Sequence, residues 1–150
     1  MRVGEVMSVR LVSVRPDETV AVAIARMLEA NVGGVVVCEA SGMLAGIFTE
    51  RDVLRLAGEG PQFLEALVRD AMTPRPVTVS ADDDIVSAAR LMGERRVRHL
   101  PVVQDGQVLG VVGIRDVMGS LVERVWREHD DTARETARNL LRRPGAPESA

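Results

Sequence analysis

Aromatic side chains are nearly absent from this chain: two phenylalanines, one tryptophan and no tyrosine, 2% of 150 residues. With so few stacking platforms, and with a formal charge of −3 in place of a basic footprint, no direct nucleic-acid partner is expected. Cysteine is as scarce. The single Cys38 cannot close an internal disulfide and has no second thiol at zinc-ligand spacing, so neither a disulfide framework nor a structural metal holds the fold. The only histidines are His99 and His129, on segments of different character, and Cys38 sits inside an apolar run. No catalytic triad or metal set can be drawn from these, and the protein is not expected to be an enzyme. No apolar run approaches the roughly 18–20 residues that cross a bilayer. The opening MRVGEVMSVRLVSVRPD lacks the apolar core of a secretory leader, so the cytoplasm is the expected compartment, with no membrane partner.

What the chain does have is aliphatic side chains, 46% hydrophobic residues in all, enough for one sizeable core or two small ones sharing a core. They are arranged in an internal repeat. VMSVRLVSVRPDETVAVAIARMLEANVGGVVV aligns with AMTPRPVTVSADDDIVSAARLMGERRVRHLPV at an offset of 65 residues, matching Met7 with Met72, Arg10 with Arg75, Val12 with Val77, Asp17 with Asp82, Ala23 with Ala88 and Met27 with Met92. The offset then drops to 64 where the turn sequence EASG faces QDG. A one-residue change in a surface turn leaves a repeat intact.

Each repeat reads as a short strand (Leu11 to Val14; Pro76 to Val79), a helix, a hairpin and a second helix. In the first helix Val20, Ala23, Ile24, Met27 and Leu28 have the spacing of one buried face; the counterpart is Ile85, Ala88, Ala89 and Met92. Acidic residues lead into both helices, Asp17 and Glu18 in one and Asp82, Asp83 and Asp84 in the other, where carboxylates cap amides. The hairpins GGVVVCEASGMLAGIFT and HLPVVQDGQVLGVVG are rich in β-branched residues suited to buried strands. GEGP at 58–61 breaks the chain between the repeats. One unit alone has too small a core, so two related by a pseudo-two-fold axis and packed sheet to sheet are expected, an α/β (α+β) fold.

The combination of VMS before a strand, PDETV opening a helix and GIFTERDVL closing the first unit, followed by DAMTPRPVTV, RHLPVV and GVVGIRDVM in the second, resembles a tandem pair of CBS (cystathionine-β-synthase) domains. The resemblance implies a β-α-β-β-α fold per unit and a cleft that takes an adenosine-containing regulatory ligand such as AMP, ADP, ATP or S-adenosylmethionine, with no cofactor required. It also implies a disc-like homodimer. The units expected are 1–58 and 68–121 joined by 59–67, then a helical extension over 122–143 and a disordered tail over 144–150.

The motif GIFTERD, residues 46–52, carries the expected binding chemistry. Gly46 admits a ligand close to the backbone, Asp52 accepts hydrogen bonds from ribose hydroxyls, and Thr49 donates to a phosphate. T-x-x-D is equally a capping-box pattern, and both readings hold together. The second copy keeps Gly110 and Asp116 but has Gly113 where Thr49 stood, so the Asp52 cleft is expected to fill first. Aliphatic walls for an adenine fall to Val12, Ile47, Val77, Val111 and Pro101. Arg51 and Arg115 occupy equal positions, as do Arg10 and Arg75, and face either phosphates or solvent. His99 in RHLPVV either lines the cleft or simply packs. The stretch LVERVWREHDDTARETARNLLRR extends the last helix with apolar stripes that need cover, from the chain itself or from another subunit. An unidentified effector protein completes the expected partners.

Overall fold

The computed structural model describes residues 1–128 and 138–139. The C-terminal half of the expected extension, with its stripe through Ala133, Ala137, Leu140 and Leu141, and the tail over 144–150 lie outside the described residues, apart from the helical pair Arg138 and Asn139. A leader helix α1 (Val3–Val6) precedes β1 (Ser13–Val14), α2 (Val20–Ala30), β2 (Gly34–Cys38), β3 (Leu44–Thr49) and α3 (Glu50–Ala57). A 3-10 turn (Pro61–Glu65) then leads to a second leader helix α4 (Val68–Ala71), β4 (Thr73–Pro74), α5 (Ile85–Arg95), β5 (His99–Gln104), β6 (Gln107–Gly113) and α6 (Ile114–Glu128).

The first sheet has the order β1-β2-β3-β4, with β1 parallel to β2 and the other pairs antiparallel. The second contains β5 and β6, antiparallel, and its flanks shrink to single bridges: Ser8 with Val111 and, in parallel, Val79 with Val102. The strand expected over Pro76 to Val79 is therefore one residue of pairing. Pro76 has no amide to offer a ladder, and Arg75 before it holds a left-handed φ of 46° that turns the chain away. Likewise the run from Leu11 forms a strand only at Ser13 and Val14, although the Val12 carbonyl still accepts from the Val36 amide at 3.3 Å.

Two core clusters form, one per repeat. Val14, Val20, Ala23, Met27, Val35, Val37 and Phe48 build the first; Val79, Ala88, Met92, Leu100, Val102, Val112 and Val117 build the second. The leader helices are exchanged between them. Val3 of α1 is buried in the second cluster, while Val68 and Ala71 of α4 are buried in the first. Their backbone bonds mirror one another: the Val3 amide donates to the Asp83 carbonyl at 2.8 Å, and the Val68 amide to the Glu18 carbonyl at 2.8 Å. The strands cross over too, Thr73 and Pro74 pairing with Ile47 and Gly46 as Ser8 pairs with Val111.

Helix capping differs in part from the expectation. Thr19, not Asp17 or Glu18, caps α2 through the Val22 amide, whereas Asp84 caps α5 through the Val86 amide at 2.8 Å. Glu18 is committed elsewhere, to a two-pronged ion pair with Arg26 at 2.6 and 2.7 Å, and the hydrogen bond from Arg26 holds its carboxyl below the usual range. Leu28, expected on the buried face of α2, is 76% exposed. It belongs to a different environment.

Candidate functional site

Between the repeats lies a cavity of about 660 Å³. Its apolar part comes from Ile24, Met27 and Leu28 of α2 and from Val12, Val32, Val53, Val111 and Ile114. This is where Leu28 goes: it lines the mouth of the cavity instead of the core. The polar part is made by Arg10, Arg98, Arg115, Glu50, Asn31, His99 and Asp116. The guanidinium groups of Arg10, Arg98 and Arg115 have no ion pair or hydrogen bond among the described residues, whereas those of Arg26 and Arg55 are both paired. An apolar slot beside unpaired cations is chemically suited to a flat heterocycle carrying an anionic or hydroxylated tail.

His99 sits at the seam of the repeats, paired across the hairpin with Gly113. Burial lowers its pKa from 6.5, with Glu50 and Asp116 opposing that shift and Arg98 adding to it. A second cavity, of about 350 Å³, is lined by Arg15, Glu18, Arg26, Cys38 and Gln107 among others. Burial pushes the Cys38 thiol up, which keeps it protonated and unreactive.

Of the residues singled out from the sequence, Val12, His99, Val111, Arg115 and Asp116 meet at the larger cavity. Gly46, Ile47, Thr49, Arg51, Asp52, Val77, Pro101 and Gly110 do not line it. Pro101 is buried in β5, Ile47 lies 8% exposed in β3 and Val77 packs on the second core. The two motif glycines have a structural explanation. A Cβ at Gly46 would stand 2.7 Å from the Thr73 carbonyl oxygen and 2.6 Å from Met72 Sδ; at Gly110 it would stand 2.5 Å from the Ser8 carbonyl oxygen. What approaches each glycine is the crossing segment of the other repeat. The aspartates cap: Asp52 accepts from the Thr49 amide at 2.9 Å, and Asp116 from the Gly113 amide at 3.2 Å.

The sequence reading missed Gly33 and Gly34, Asn31, Glu50 and Arg98 at the cavity. A signal for the first two exists in the repeat alignment, where the bare Gly33-Gly34 faces Arg98-His99. Glu50 and Arg98 carry no such mark, since surface charges at strand ends are common.

The two repeats, with their exchanged leaders and mirrored Gly and Asp positions, correspond to one known domain: the CBS domain pattern matches residues 3–59 and again 68–123. The chain belongs to the CBS-domain family. A CBS-domain protein from Agrobacterium tumefaciens is 32% identical, with a TM-score of 0.74 over 79% of this chain and 91% of that one. CBSX2, solved in complex with AMP, is 31% identical with a TM-score of 0.72, covering 81% and 96%. Among curated relatives, an uncharacterised protein of Methanopyrus kandleri is 33% identical over 118 residues, 77% of this chain and 60% of its own length. Within the CBS pair described here, no helix among the described residues is long and apolar enough to cross a membrane.

Proposed function

We propose that this CBS pair is a regulatory module that binds an adenosine-containing ligand (AMP, ADP, ATP or S-adenosylmethionine) in the cleft between its domains and, as a cytoplasmic homodimer, passes occupancy to an effector protein. The observation that carries the reading is the cavity of about 660 Å³, whose lining combines aliphatic side chains with Asp116, Arg10, Arg98 and Arg115. Adenine suits the slot, ribose hydroxyls suit an accessible carboxylate, and a phosphate suits the guanidinium groups. The relative solved with AMP supports the ligand class. The ligand is regulatory; neither catalysis nor a cofactor is part of the proposal. The domain bounds we propose are 1–58 and 68–121, with 59–67 as the connection.

Thermal unfolding tests it. A ligand at about 100 times its Kd, bound to the folded state alone, adds roughly 2.7 kcal/mol, which raises Tm by several degrees for a domain of this size. A second reading, a scaffold that dimerises without any ligand, is favoured by the same glycines and aspartates, all of which have partners within the chain. It wins if millimolar AMP, ADP, ATP and S-adenosylmethionine all leave the melting curve unmoved.

A further inference from the structure

One imidazole lines the larger cavity, and the two repeats meet on it. His99 stands half-buried at the start of β5. A Cβ at Gly33 would stand 3.3 Å from its Cε1, one at Gly34 3.6 Å from its Nδ1 and one at Gly113 3.9 Å from its Cδ2. The first repeat thus approaches one edge of the ring and the second repeat another. The equivalent place in the first repeat is Gly34, so the arrangement occurs once per chain. Neither ring nitrogen has a hydrogen-bond partner among the described residues; when the ring is charged, both of its N–H groups still want an acceptor.

The charges around the ring pull in both directions. Glu50 at the head of α3 and Asp116 in the first turn of α6 favour the imidazolium, whereas Arg98, next to it in the chain, disfavours it, and burial disfavours it more. None of the residues that α2, β2 and β6 bring to the lining is charged; Arg10 and Arg115 complete the charged set. The lining therefore holds three guanidinium groups against two carboxylates, and an anion that enters it moves the ring in one direction, toward protonation.

We infer that the cavity takes up a proton at His99 together with the anionic part of its ligand, so that this CBS pair reads acidity and nucleotide as one joint signal. This rests on the ligand reading above and adds the proton to it as a second ligand. A phosphate held by the guanidinium groups brings negative charge into the space that the ring shares and offers oxygens to its N–H groups. The ring is then more basic in the liganded protein than in the free one. By linkage, the affinity for the anion rises as the pH falls through the interval between the two pKa values. Above that interval His99 is neutral in both states and the effect vanishes. An uncharged nucleoside, which covers the ring without adding charge, gains nothing from acid.

Proton NMR of the full chain carrying His129→Gln, which leaves His99 as its one imidazole, follows the titration directly. AMP is expected to raise the pKa of the ring by about half a unit or more, and adenosine is not. Half a unit is about threefold in affinity. Calorimetry gives the reciprocal measurement: the gain in AMP affinity from about pH 8 to about pH 5.5 should be at least about threefold larger in the unaltered chain than in His99→Gln. The phosphate's own second ionisation, near about pH 6, is common to the two proteins and cancels in that ratio. Circular dichroism checks the fold of His99→Gln, and if that variant fails to fold the NMR shift decides alone. AMP that binds while leaving the ring's pKa unmoved or lowered, an unaltered pH profile in folded His99→Gln, or heat from S-adenosylmethionine with none from AMP, ADP or ATP overturns this inference and leaves the ligand reading standing. No heat from any of the four overturns both.

Discussion

His99 Cε1 would touch a side chain at Gly33, and its ring stands within the electrostatic reach of Glu50, Arg98 and Asp116. Because burial outweighs the two carboxylates, its folded pKa lies below 6.5. The unfolded chain then binds more protons than the folded one between the folded pKa and about 6.5. His99 thus contributes stability that is present above pH 6.5 and lost as the pH falls through the folded value. Urea midpoints measured at pH 7.5, 6.5 and 5.5 should decline with acid, and His99→Gln should flatten the decline; an unchanged slope would contradict the burial argument. The arginines on the same cavity make a separate prediction. Arg98→Ala and Arg115→Ala should each weaken AMP about three- to tenfold and leave adenosine nearly untouched, since each removes one charge-assisted contact at a solvent-accessible site. Raising the salt concentration should narrow the gap between AMP and adenosine.

At the scale of the elements, the close approaches at β3 and β6 are the most demanding feature. Gly46→Ala drives a methyl into the Thr73 carbonyl and Gly110→Ala drives one into the Ser8 carbonyl, contacts that overpacked sites relieve only by moving backbone. Each should cost about 1–3 kcal/mol, read as a fall in Tm, even in the absence of any ligand. A neutral Gly46→Ala would return that glycine to the ligand. This is also where sequence reasoning and structure part. The repeat, both hairpins, the buried positions Val20, Ala23 and Met27 and their partners Ile85, Ala88 and Met92 are all legible, because periodicity records burial directly. Leu28 follows the same period but faces the cavity, since an apolar stripe says that a side chain needs cover without saying what provides it. The glycines of GIFTERD and GVVGIRD read as room for a ligand against the backbone; in the structure a crossing segment of the other repeat lies against each, which a linear motif does not display. Thr19 caps α2 from the place directly before Val20, where the capping rule puts it, and Glu18 is held instead by Arg26 across the turn.

For the whole molecule, Leu54 on α3 and Met118 on α6 hold equivalent positions in the repeats and are 76% and 52% exposed, with Val122 and Val125 continuing the α6 face. A second copy of the chain is the cover proposed above. Light scattering at tens of micromolar should give a dimer, and Leu54→Glu combined with Met118→Glu a monomer that still melts cooperatively. A monomeric unaltered chain would sink the proposal. Deleting residues 1–7 should unfold the second repeat before the first, since Val3 is buried in the second cluster; hydrogen exchange resolved along the chain would show the order.

The traded leaders have a consequence for descent. A chain with one such repeat would have nowhere to seat its own leader except in the core of a second copy. Two single-repeat chains exchanging leaders would build both cores and both clefts around a true two-fold, and joining them by a connection like that over 59–67 would preserve every contact. After fusion the copies would no longer be bound to change together. The hydroxyl at position 49 could stay while its twin at 113 became glycine, and two positions that began identical were free to part.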